Sequence, residues 1–112
     1  MGKYRKMKNA FSFLETYGFA EYAKQRSGSY YYTAWTNEKK KIWCYYDDTI
    51  DEKNESPIWI KIYDADCLGT QYDDVDEYRR EFYISSGSPK ERIYYAAKWL
   101  KEAIENQIVL LE

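Results

Sequence analysis

The chain has 112 residues, of which 17 are basic and 19 acidic, giving a net charge of −2; it has no histidine, and 20% of its residues are aromatic. This length predicts a single domain over residues 1–112. The lack of histidine excludes Ser–His and Cys–His couples, imidazole acid–base chemistry and histidine-ligated zinc. Cys44 and Cys67 are too few for a structural zinc site. We therefore expect a protein with no catalytic residues, no cofactor and no metal.

Residues 1–8 contain four basic side chains and no acidic one. They are a candidate basic leader, with Met1 or Met7 as the start of the protein. The following segment is not the continuous apolar run of a secretory signal, and no stretch is apolar enough for a membrane span. The expected compartment is the cytoplasm, without a membrane partner.

A short helix is predicted next, with Asn9 as its N-cap, Phe11 and Leu14 buried, and Gly18 ending it in the left-handed conformation. Residues 19–26 then form a candidate edge strand.

Three stretches of β-branched and aromatic residues, 29–36, 41–47 and 57–63, predict strands. The short connector at 37–40 favours an antiparallel hairpin. Alternation places Ile58, Ile60 and Ile62 on one face of the sheet and Trp59, Lys61 and Tyr63 on the other. Further along, acidic residues at the start of 73–78 favour a helical turn, and the alternation of Phe82 and Ile84 predicts a fourth strand over 80–84.

The C-terminal helix has the clearest signals. Ser88, Pro89 and Glu91 form a capping-box pattern with proline at the first helical position. Apolar residues recur at helical spacing, which predicts a helix over about 89–110: Ile93, Ala97, Leu100, Ile104, Ile108 and Leu111. The fold class is therefore α+β, with an antiparallel meander of three to five strands, a short N-terminal helix and a long C-terminal helix packed on the sheet.

The middle of the chain is strongly acidic. Residues 47–81 contain twelve acidic and four basic side chains, a net charge of −8. Such a segment attracts basic partners and repels a nucleic-acid backbone, so no nucleic-acid partner is expected. Solvated turns rich in Asp are the alternative interpretation.

Known chemical motifs do not fit this segment. Residues 47–51 begin like a calcium-binding loop, but Glu52 stands where that loop needs glycine and Ile58 where it needs glutamate. Neither glycine-rich phosphate-loop pattern occurs. Paired carboxylates remain a candidate for glycosidase-type catalysis, although no spacing fixes their geometry.

Aromatic residues are concentrated on the three predicted strands. Trp59 and Tyr63 lie on the face opposite the isoleucines. They either pack under other elements and across strands or form a contact surface, because Tyr and Trp dominate binding hot spots.

The order of features resembles small α+β immunity proteins encoded beside bacterial polymorphic or contact-dependent toxins. The resemblance rests on the Tyr-Gly-Phe end of the first helix at 17–19, the Tyr-rich strand before Asn37, the strands at 41–47 and 57–63, and the sequence Ala-Ala-Lys-Trp-Leu-Lys at 96–101. It implies a cytoplasmic antidote that binds one cognate toxin, such as a nuclease with a basic surface, and blocks it. The candidate contact residues combine acidic and aromatic side chains: Asp47, Asp48, Asp51, Glu52, Trp59, Tyr63, Asp73, Asp74, Asp76 and Glu77.

A module that binds a small ligand or carbohydrate through the Trp and Tyr face is the alternative function. The oligomeric state and the identity of the partner stay open.

Overall fold

The computed structural model describes residues 2–27, 30–47, 49, 55–64 and 76–109. The first helix, α1 (Gly2–Phe11), continues into a 3₁₀ turn, Ser12–Tyr17. Five strands and a second helix follow in chain order: β1 (Ala20–Ser27), β2 (Tyr30–Thr36), β3 (Lys40–Asp47), β4 (Ile58–Asp64), β5 (Asp76–Tyr78) and α2 (Pro89–Glu105).

The sheet is an antiparallel meander in the order β1-β2-β3-β4-β5. The predicted α+β fold is confirmed, as is the extra edge strand expected over 19–26. Asn37 forms the turn of the β2–β3 hairpin: its side-chain oxygen accepts hydrogen bonds from the backbone N–H groups of Lys39, at 2.8 Å, and Lys40, at 2.7 Å. Such Asx turns explain the preference for asparagine at tight connections.

Both helices pack on one face of the sheet. Ile58, Ile60 and Ile62 of β4 are buried, and they share one hydrophobic core with Phe11 of α1 and Leu100 of α2. The period-2 prediction for β4 is therefore confirmed. Within the described residues, no helix combines the length and apolar character needed to cross a membrane.

The N-terminal helix begins earlier than the sequence suggests. Residues 2–8 are part of α1, and Asn9 lies inside the helix rather than at its cap, where its carbonyl accepts a hydrogen bond from the Ser12 hydroxyl. Gly18 ends the 3₁₀ turn at φ 83°, as predicted, and its N–H donates to the Glu15 carbonyl. Glycine adopts this left-handed conformation without the steric penalty of a side chain.

Two predictions for the segment before α2 are wrong. The strand is at Asp76–Tyr78, within the segment expected to be helical, while Arg80–Phe82, within the segment expected to be a strand, forms a 3₁₀ turn. Residues 73–75 lie outside the described part. Backbone pairing with β4 extends the first segment, and a tight turn lets Phe82 enter the core. A two-residue alternation is too short to distinguish a strand from such a turn.

The C-terminal helix begins as predicted and ends earlier. Ser88 and Glu91 form the reciprocal capping box, and Pro89 opens the helix. The helix ends at Glu105 because Gln107 takes φ 60° and the chain turns back, with the Ile108 and Val109 N–H groups donating to the Ala103 carbonyl. This turn buries Val109 and leaves Ile108 exposed, opposite to the predicted stripe. Leu111 is outside the described residues.

Candidate functional site

The face of the sheet opposite the two helices is rich in aromatic and basic side chains, and no described helix covers it. We call it the open face and define it by the side chains that strand alternation and ring contacts place there: Tyr22, Tyr32, Lys41, Trp43, Tyr45, Trp59, Lys61, Tyr63, Glu77 and Arg79. All of them are half-buried except Tyr22 and Glu77, which are exposed.

The centre of the open face is a cross-strand row of three rings. Tyr32, Tyr45 and Trp59 lie directly opposite one another on β2, β3 and β4. The Tyr45 and Trp59 rings stack with centroids 5.0 Å apart and planes 15° apart, and Tyr32 contacts Tyr45 at 6.1 Å. Cross-strand aromatic pairs of this kind stabilise a sheet.

A second group of rings extends the row toward β1. Trp43 contacts Tyr32 at 5.2 Å, Tyr45 at 5.9 Å and Tyr22 at 5.8 Å, the last with an edge-to-face geometry. Tyr22 is the extra residue of a β-bulge, because its neighbours Glu21 and Ala23 pair with consecutive residues of β2. A bulge redirects the side chain it inserts, and here it brings Tyr22 onto the open face.

Two cations are held over rings of the open face. The Lys61 Nζ lies 5.7 Å from the Tyr45 ring centroid, and the Arg79 guanidinium carbon lies 5.1 Å from the Trp59 ring centroid. Arg79 also donates from Nε to the Ser56 carbonyl at 2.9 Å and forms a 3.5 Å ion pair with Glu55. Cation–π contacts of this geometry are attractive, so both positive charges are fixed beside the aromatic row.

Burial among the rings changes the acidity of the tyrosines. The pKa of Tyr45 is raised to about 12, chiefly by burial and to a smaller extent by the ionisable side chains of Tyr22, Cys44, Tyr32 and Glu77. Burial also raises the pKa of Tyr22, opposed in part by the neighbouring Trp43 and Tyr63 side chains. The raised pKa keeps these hydroxyls neutral to a higher pH than an exposed tyrosine, and as neutral groups they act as hydrogen-bond donors or acceptors.

A cleft of about 650 Å³ borders the open face beside Arg79. Most of its lining is charged, with both signs represented: Glu55, Ser56, Glu77, Arg79, Arg80, Glu81 and Tyr83. Within the part of the chain that the structure describes, no group of three or more Cys, Asp and Glu side chains is placed to hold a metal ion.

The predicted contact residues fall into four groups. Trp59, Tyr63 and Glu77 lie on the open face. Asp76 is exposed on β5 but stands opposite Ile62, so it belongs to the other face. Asp47 is described and buried. The remaining acidic residues lie outside the described part of the chain: Asp48, Asp51, Glu52, Asp73 and Asp74.

Asp47 differs from the expectation of a surface contact. It is only 6% exposed, and one carboxylate oxygen accepts hydrogen bonds from the Thr49 backbone N–H at 2.9 Å and the Thr49 hydroxyl at 2.7 Å. A carboxylate that accepts two local hydrogen bonds orders a turn. Asp47 therefore stabilises the end of β3.

The open face includes residues that the sequence prediction did not select. Lys61 stands between Trp59 and Tyr63, and the same alternation that placed those rings also placed this lysine. Arg79 comes two residues after Glu77, so the same alternation places it on this face, but the sequence predicts a helical turn rather than a strand over 73–78. Trp43 and Tyr45 alternate with the buried Ile42, Cys44 and Tyr46, a pattern visible in the sequence.

Comparisons with protein-family models, with curated proteins and with solved structures each find no match to this chain.

Proposed function

We propose that this chain is a non-enzymatic immunity protein that binds a cognate bacterial toxin and blocks it, with the open face as the main contact surface. The observation that supports the proposal is the continuous set of rings on that face, contributed by four adjacent strands and left uncovered by the described helices. These rings are half-buried or exposed rather than fully covered, and Tyr and Trp provide much of the affinity in protein interfaces.

Rigidity of the face supports the same proposal. Tyr45 is contacted by the rings of Tyr32, Trp43 and Trp59, so little side-chain freedom is left to lose on binding. Immobilising a flexible side chain in an interface is unfavourable. A pre-ordered surface suits an inhibitor that must hold its target for long times, because affinity is tuned mainly through the dissociation rate.

The acidic segment adds a second element to the proposal. Residues 47–81 have a net charge of −8, which would accelerate association with a basic toxin such as a nuclease. Glu77 of that segment lies on the open face. In this proposal the acidic segment speeds the encounter, and the rings slow the release.

The geometry favours a protein partner over the carbohydrate or small-ligand alternative. Sugars stack on free ring faces, whereas Tyr45 and Trp59 stack on each other and Arg79 lies over Trp59. The adjoining cleft has a mostly charged lining, while ligand sites are usually apolar with a few polar groups.

Co-expression with the product of the neighbouring reading frame tests the proposal. We expect this chain to restore growth to cells that express that product and to co-purify with it in a stoichiometric complex. Failure of both, together with Trp fluorescence that responds to a sugar or metabolite in the isolated protein, would favour the ligand-binding alternative.

A further inference from the structure

The orientation of the rings determines which atoms the open face presents to a partner. Two coplanar rings lying side by side need about 6 Å or more between centroids, because carbon atoms approach only to about 3.5–4 Å. The Tyr45 and Trp59 rings are nearly parallel at 5.0 Å, so their faces overlap. The two rings therefore cover part of each other's faces, and their outward edges stay free of this contact.

The outward edges favour negatively charged groups. An aromatic ring has a negative face and a positive edge. Trp59 lies on β4 between Tyr45 of β3 and Arg79, which follows β5, so both sides of its ring have neighbours from this chain. A cation from a partner would find these ring faces occupied, whereas a carboxylate can approach the edges.

The lysines of the open face also favour negatively charged groups. Lys41 and Lys61 have no carboxylate within 4.0 Å among the described residues. The neighbouring Lys40, in contrast, forms a 2.7 Å ion pair with Asp64. Glu77 stands opposite Lys61 in the strand register but forms no ion pair with it. Within the described residues, the face therefore has two lysines without a carboxylate partner.

We infer that the open face receives an acidic patch of its protein partner, with carboxylates placed against Lys41 and Lys61 and between the outward ring edges. The inference rests on the proposed function for the existence of a protein partner. It adds that the partner's contact patch is acidic and faces the lysines. The carboxylates of residues 47–81, a segment that also contains Trp59, Lys61 and Tyr63 of the open face, are suited to a basic region beside that patch. A nucleic acid is also anionic, but its bases would need free ring faces for stacking.

A binding experiment with defined charged polymers tests the inference without the toxin. The isotope-labelled full chain is titrated with short poly-L-glutamate, with poly-L-lysine and with a single-stranded oligonucleotide, and NMR signals are followed. We expect poly-L-glutamate to shift the indole N–H signals of Trp43 and Trp59. The double variant Lys41→Gln/Lys61→Gln should weaken this binding about three- to tenfold.

The matched control removes two charges from the outer surface of α2. Lys98→Gln/Lys101→Gln changes exposed residues of that helix and should leave the shifts at Trp43 and Trp59 as in the wild type. Shifts of these indoles by poly-L-lysine, tighter binding of the oligonucleotide, or equal affinity in the open-face variant would each overturn the inference. If the toxin still bound while these tests failed, the proposed function would stand, and the inference that the partner's contact patch is acidic would be wrong.

Discussion

Tyr45 and Trp59 lie directly opposite each other on β3 and β4, and their rings stack at 5.0 Å with planes 15° apart. This contact is on the face of the sheet that the described helices leave uncovered. The pair therefore contributes to stability without being part of the helix-covered core, and it orders the surface proposed for binding.

A double-mutant cycle measures the stacking of this pair. We expect Tyr45→Leu and Trp59→Leu to lower the free energy of unfolding, with a coupling energy of about 0.5–1.5 kcal/mol between them. Urea unfolding of the wild type, both single variants and the double variant gives the value. Additive effects would show that the two rings do not interact in solution.

The capping box of α2 gives a separate test of the helix assignment. The Glu91 N–H donates to the Ser88 hydroxyl at 3.2 Å, and the Glu91 carboxylate accepts from the Ser88 N–H at 3.4 Å. Ser88→Ala should therefore lower the free energy of unfolding by about 1 kcal/mol, while Ser88→Asp, which retains an acceptor, should lower it less. Equal stability of Ser88→Ala and wild type would contradict the cap.

Arg92 of α2 forms hydrogen bonds to the loop that precedes the helix. The residue is 5% exposed, and its guanidinium donates to the Ile84 carbonyl at 2.6 Å and to the Gly87 carbonyl at 3.2 Å. Replacement of Arg92 by Leu leaves both carbonyls without these donors and should destabilise the protein by about 2–3 kcal/mol. Lys101→Leu, at an exposed position of the same helix, is the control and should change stability little.

The raised pKa of Tyr45 predicts a pH dependence at the alkaline side. Its pKa is about 12 in the folded protein against an ordinary value of 10.0, so the unfolded chain loses this proton first. The contribution of the neutral phenol to stability is complete below about pH 10 and is lost as the pH rises toward about 12. Tyr45→Phe should be less sensitive than wild type when unfolding is measured from about pH 9 to about pH 11.

A loss of stability over this range that is as steep in Tyr45→Phe as in wild type would contradict the assignment. Absorbance of tyrosinate gives an independent readout, because the signal removed by the substitution should titrate above that of exposed tyrosines.

Elements defined by long patterns were predicted from sequence alone. The alternation of Ile58, Ile60 and Ile62 gave the core face of β4, and Ser88 with Glu91 gave the start of α2. These signals are local and repeated. The end of α2 was not predictable in the same way, because it depends on Gln107 adopting φ 60° and on Val109 entering the core.

The binding face was only partly predictable. Trp59 and Tyr63 follow from alternation, but Tyr22 reaches the face through a bulge, and Arg79 follows β5, a three-residue strand that the sequence does not indicate. Both are consequences of strand pairing between distant segments. The burial of Asp47 is not predictable either, because an aspartate near a loop usually indicates exposed polar structure.

The most direct test of the central claim is the affinity of the co-purified toxin for two variants with similar loss of aromatic surface. Tyr45→Ala/Trp59→Ala removes the stacked pair of the open face, and Tyr94→Ala/Tyr95→Ala removes two exposed rings of α2. If the open face is the docking surface, the first variant should lose affinity by a factor of about 100 or more and the second should bind like wild type. Unchanged affinity in the first variant, once shown to be folded, would contradict the account.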